Sequence, residues 1–148
     1  MKLFVTLSFL ILATTAASSQ NNKPCYERIY QVTDTLPKIN SSVETILQHI
    51  KQEIQLPDSL LTRDGFIFIK YVINCHGDAV SLRVIKTADS DGVLAINNFE
   101  YLAKTIIPTL KRELKWIPAW EGGRTVDFLQ IFSISFKKGV ISIKVNAS

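Results

Sequence analysis

Apolar and polar positions in this chain alternate in two rhythms, one of 3.6 residues and one of two. Val43, Ile46, Leu47, Ile50 and Ile54 form one stripe, with Gln48, Lys51, Gln52 and Glu53 outside it, which predicts an amphipathic helix. Ser41 as N-cap, with Glu44 three residues on, makes a capping box for its start. Leu56-Pro57-Asp58 ends it, and His49 falls off the stripe as a solvated helix residue. Residues 66–73 are so rich in aromatic and β-branched types that they read as a strand apolar on nearly both faces, hence central. Asn74 to Asp78 then supplies turn chemistry, with Gly77 available for positive φ, and residues 79–85 alternate as a return strand. The pair is a hairpin.

A second helix opens at Asn97 or Asn98. Phe99, Leu102, Ala103, Ile106, Ile107, Leu110 and Leu114 share its apolar stripe, and Pro108 should kink or divide it near Ile106. Glu121-Gly122-Gly123 is a turn leading into a strand over residues 124–136, in which Val126, Phe128, Gln130, Phe132, Ile134 and Phe136 share a face. Lys137-Lys138-Gly139 is a turn or a bulge before one more β segment at 140–145, and residues 26–32 can form a short strand ahead of the first helix. The order β-α-β-β-α-β(β) defines an α+β fold: two helices packed on one face of a mostly antiparallel sheet.

Composition narrows the function classes. Of 148 residues, 47% are apolar and 20% charged, which excludes a disordered chain and supports one domain, here residues 20–148. The net charge of +4 comes without long Lys/Arg runs, so a nucleic-acid footprint is not expected. Met1-Lys2, the apolar run 3–13 and the small residues Thr14 to Ser19 follow the plan of a secretory signal peptide, cleaved after Ala17 or, by preference, after Ser19. As a helix, residues 3–17 would reach roughly 22 Å, short of a ~30 Å bilayer core, so no stable membrane anchor is expected after cleavage. The expected location is periplasmic or secreted. In such a compartment the two cysteines, Cys25 and Cys75, are candidates for a disulfide, with two buried thiols as the alternative.

Catalytic constellations are sparse. His49, His76, Asp58, Asp64, Asp78, Asp89, Asp91 and Glu121 form no triad order, no H-E-x-x-H and no phosphate-binding glycine loop. Cys75 beside His76 is sequence-adjacent, a poor arrangement for a nucleophile and its base. Asp89-Ser90-Asp91-Gly92 lacks the acidic positions that complete a calcium loop and reads as a turn. The expectation is therefore a non-enzymatic chain with no cofactor and no metal.

Several motifs taken in order resemble a known family. Leu36-Pro37, a helix, Leu56-Pro57 and the run from Gly65 to Val80 are followed by a helix, Trp116-Ile117-Pro118-Ala119, Gly122-Gly123 and a long strand ending in Phe136. Over about residues 26–136 this resembles the C-terminal domain of TonB energy transducers. Only residues 20–24 precede the fold after cleavage, roughly 18 Å when extended, so the form implied is a stand-alone module. The resemblance implies a periplasmic domain that grips an envelope protein, such as the plug region of an outer-membrane receptor, by β-strand addition. It places the gripping strand at residues 125–136, with Thr125, Asp127, Leu129, Gln130, Ile131 and Ser133 as the pairing residues. Edge strands of this kind also permit a homodimer. The alternative is a small-molecule or carbohydrate binder using Trp116 and Trp120 as a platform.

Overall fold

A computed structural model describes residues 22–56, 58–62, 64–89 and 96–145. The expected signal peptide and the Asp91-Gly92 turn lie outside the described residues. Short strand β1 (Lys38–Ile39) leads into helix α1 (Val43–Glu53), whose stripe buries Ile46 and Ile50. The N-cap is Ser42, not Ser41: its Oγ accepts the Thr45 N–H at 3.2 Å. Ser41 is drawn elsewhere, because its hydroxyl donates to the Glu113 carbonyl at 2.6 Å and accepts the Lys115 N–H at 2.7 Å. Those bonds tie the start of α1 to the end of the second long helix. A short helix α2 (Asp58–Thr62) follows, which the apolar pattern had not announced. Its Leu61 lies against Gly139.

Strands β2 (Asp64–Ile73) and β3 (Ala79–Asp89) form the expected hairpin. The connecting turn is held by Asn74, whose side-chain oxygen accepts the N–H groups of His76 and Asp78 at 3.0 and 2.9 Å. Gly77 has φ +86°, and a Cβ there would sit 2.0 Å from the Trp116 carbonyl oxygen, so only glycine fits. Helix α3 (Ile96–Glu113) runs on through Pro108 without dividing. Pro108 is exposed, so the turn that lacks its N–H lies on the solvent side of the helix, where the loss costs least. Leu102, Ile106 and Leu110 are fully buried on the opposite side.

Strand β4 (Trp116–Ile117) pairs with β1, and β5 (Ala119–Glu121) with β6 (Arg124–Val126) around the Gly122-Gly123 turn. The long strand expected at 124–136 is broken at Asp127, and β7 (Phe128–Lys137) continues beyond it. Lys138 and Gly139, both at positive φ, make the two-residue turn into β8 (Val140–Val145). No strand forms over residues 26–32. Tyr30 alone makes a parallel bridge to Phe128, because Asp127 and the disulfide described below dictate the path of this segment.

The main sheet has the order β3-β2-β7-β8, antiparallel throughout. Ile67, Ile69, Tyr71, Phe132, Ile134, Phe136 and Ile141 from one face pack with Ile46, Ile50, Leu102, Ile106 and Leu110 of α1 and α3 in a single core. The fold is α+β, with both long helices packed on one face of the main sheet. Among the described residues no helix is long and apolar enough to cross a membrane.

Candidate functional site: a sheet edge beside an apolar groove

Strand β7, expected to offer a free margin, is interior. One margin pairs with β2 along its whole length, from Asp64↔Lys137 to Ile73↔Phe128. The other pairs with β8 from Phe132↔Val145 to Lys137↔Val140, and with Tyr30, whose carbonyl accepts the Leu129 N–H at 2.8 Å. The pairing residues expected from the resemblance are therefore engaged within the chain. Thr125 pairs with Trp120, and Ser133 with Lys144. Leu129 holds Tyr30, Ile131 donates its N–H to the Gln130 side chain at 3.3 Å, and Gln130 is itself buried. Asp127 accepts the Tyr26 and Cys75 backbone N–H groups on its two carboxylate oxygens at 2.7 and 2.9 Å. The expectation failed because apolar alternation reports which face is buried, not which neighbours a strand acquires.

The sheet ends instead at β3 and β8. Strand β3 carries two register shifts against β2, and at one of them Ser81 adopts φ 54°. Bulges of this kind spoil an edge for pairing with another chain. Strand β8 pairs regularly over its full length. Because Leu129 points its N–H away from β2, counting by twos along β7 directs the backbone groups of Ser133, Ser135 and Lys137 toward β8. Their partners Lys144, Ser142 and Val140 face inward, so Ile141, Ile143 and Val145 present N–H and C=O outward.

Beside the end of that margin lies a groove of about 1030 Å³. Its walls include Leu36, Ile39 and Val43 on one side and Ile143 and Val145 on the other, with Trp116 between the elements. Lys38 is balanced there by Asp34 and Glu44. The segment that makes the outer wall is fixed by reciprocal bonds between Thr35 and Trp120 at 3.1 and 3.0 Å, and by Asn40 N–H to the Lys115 carbonyl at 2.8 Å. The groove is thus built on a rigid frame.

The two tryptophans do not form a common platform. Trp116 is only 6% exposed and packs on Tyr71 with ring centroids 6.1 Å apart, whereas Trp120 is 45% exposed on β5. Both the Trp116 Nε1 and the Tyr71 hydroxyl are buried with no hydrogen-bond partner among the described residues. Burial holds the Tyr71 phenol far above its ordinary pKa.

The remaining polar residues singled out from the sequence are dispersed. Cys25 and Cys75 form a disulfide, S–S 2.10 Å. His76 approaches the same pair closely enough that the three could share an ion, but both sulfurs are spent on each other, leaving no thiolate to ligate. Asp78 accepts Lys115 Nζ at 2.7 Å, and Glu121 accepts the Asp34 N–H at 2.9 Å. His49 faces α3 rather than solvent alone, with Nδ1 3.3 Å from Glu113 Oε1. Nearby, Glu53 accepts from the Thr109 hydroxyl and from Arg112 at 2.9 Å, and Arg112 reaches Glu113 at 2.7 Å. This cluster clips α1 to α3.

No family model, curated protein or solved structure matches this chain.

Proposed function

We propose that this chain is an exported, non-enzymatic interaction domain that takes up an extended segment of an envelope or outer-membrane transport protein as an added strand on β8. The observation that carries the reading is a coincidence at residues 143–145. Outward N–H and C=O groups of a regular edge strand lie beside an apolar groove with a second wall. Main-chain bonds to Ile143 and Val145 supply affinity, and alternate side chains of the guest enter the groove beside Leu36 and Ile39 to supply selectivity. The TonB-like motif order and the leader-like first nineteen residues support the same reading. The gripping margin differs from the one those motifs implied, because β8 takes the place on β7 that a guest would need.

Selection of extended peptides from a displayed library on the disulfide-bonded protein tests this. Selected peptides are expected to slow amide exchange at Ile143 and Val145, and to lose at least about tenfold in affinity for Ile143→Pro, which removes an outward donor and spares the inner ladder. Leu36→Asp, which leaves the sheet alone, should weaken binding similarly. If no peptide is selected, or if the selected ones bind both variants as they bind the parent, the reading is wrong.

A further inference from the structure

The face of the main sheet opposite the two long helices carries an unexpected pairing. Lys70 on β2 and Arg83 on β3 are direct cross-strand partners, so their side chains leave the sheet on the same face. Like charges placed opposite one another destabilise a sheet. No carboxylate among the described residues pairs with either. The same register puts Lys86 next to Phe68 and places Lys137 and Lys144 on this face, with Asp64 the one acidic residue there among the described residues of the four strands.

Two adjoining depressions meet at this pair, and Gln31 and Leu129 border both. One, about 280 Å³, has Ile29 and Val72 in its walls; the other, about 510 Å³, has Ile85 and Ile131. The bulge that gives Ser81 its left-handed backbone borders the first depression and sits next to Arg83 in the register. A bulge re-aims the side chains around it, and Arg83 stands beside this one. The site is therefore concave, apolar at both ends and doubly cationic at its centre.

We infer that this cleft binds a small amphipathic anion, its oxyanion head held between Lys70 and Arg83 and its apolar body lying over Leu129 into one of the flanking depressions. The volumes suit a ligand of a few to about a dozen heavy atoms, at the small end of ordinary ligand sites. Arg83 offers a planar fork and Lys70 a point charge, so carboxylate and phosphate heads are both accommodated. A second copy of the chain would bring cations onto cations and is disfavoured on charge. The cleft lies on the opposite face of the sheet from the α1–α3 core and away from the β8 groove, so the inference stands whether or not β8 takes a guest strand.

Titration of the disulfide-bonded protein with octanoate and octyl phosphate, followed by two-dimensional amide and methyl NMR, tests it. Octanol, acetate and inorganic phosphate serve as controls. Saturable shifts at Lys70, Arg83, Leu129 and Ile131 are expected with the two amphipathic anions, and much weaker ones with octanol or with either head alone. Raising the salt should weaken binding. Arg83→Glu converts the repulsive pair into an attractive one, so it should fold at least as well as the parent while losing about tenfold or more in octanoate affinity. Lys70→Gln should lose several-fold. Octanoate shifts that do not saturate, equal binding of octanol, or undiminished binding in a folded Arg83→Glu protein would each overturn the inference.

Discussion

Asp127 shows how much one residue decides. Its carboxylate is fully buried, yet it is satisfied by two backbone N–H groups from segments 101 and 52 residues away, and its carbonyl accepts the Tyr30 N–H at 2.9 Å. The residue thereby interrupts what would have been one strand and fastens the segment before α1 to the sheet. Asp127→Ala strands two part-buried donors and removes a buried carboxylate that holds both; an unmade bond at a buried donor costs about 1–3 kcal/mol, and less where water reaches it. A loss of roughly 2–4 kcal/mol is expected in urea denaturation. An unchanged midpoint would mean that water replaces the carboxylate at no cost. Nothing in the sequence around Asp127 distinguishes it from the turn aspartates, because its donors come from residues far away in the chain.

At the scale of elements, the two helices were legible and their clip was not. Glu53 and His49 sit one turn apart on α1, and Thr109, Arg112 and Glu113 lie along the last turns of α3. Only packing brings them together. The Thr109 hydroxyl and the Arg112 guanidinium hold the Glu53 carboxyl below its ordinary pKa, and the Arg112 hydrogen bond does the same for Glu113. A carboxylate with a depressed folded-state pKa stabilises the fold above the ordinary range near about 4 and loses that contribution as the pH falls through the depressed value. Denaturation midpoints should therefore fall between neutral pH and about pH 3, and Glu53→Gln should flatten that fall. If parent and variant keep the same difference at every pH, the clip contributes nothing measurable. The strands teach the complementary lesson. The β2–β3 hairpin was readable because turn residues such as Gly77 act locally, whereas the choice of a turn over a bulge at Lys138-Gly139 and the place of β7 between β2 and β8 were not.

At the scale of the molecule, the Cys25–Cys75 disulfide closes a separation of 50 residues. It joins the first described residues to the β2–β3 turn, beside the Asp127 anchor. The double variant Cys25→Ser/Cys75→Ser should lose about 2–4 kcal/mol of stability. Amides of Tyr26 and Tyr30 should also lose protection from exchange, since the bridge and the Asp127 bonds together hold this segment on the sheet. Equal denaturation midpoints for the oxidised parent and the double variant would show that the bridge follows the fold rather than supporting it. Both proposed sites depend on this segment: the outer wall of the β8 groove and the Ile29–Gln31 border of the cationic cleft lie in the residues that follow Cys25.

By itself the sequence determined the α+β class, the apolar stripes of α1 and α3, the β2–β3 hairpin, a last β segment at 140–145, and the two cysteines as candidates for a bond. These follow from rules that act over a few residues: helical spacing, alternation and turn chemistry. The tertiary structure alone decided which strand stands at the edge, which cations face each other across β2 and β3, and that Trp116 is buried while Trp120 is exposed. Those outcomes depend on which distant segments meet, and a strand with one apolar face reads the same whether its margins are open or already paired.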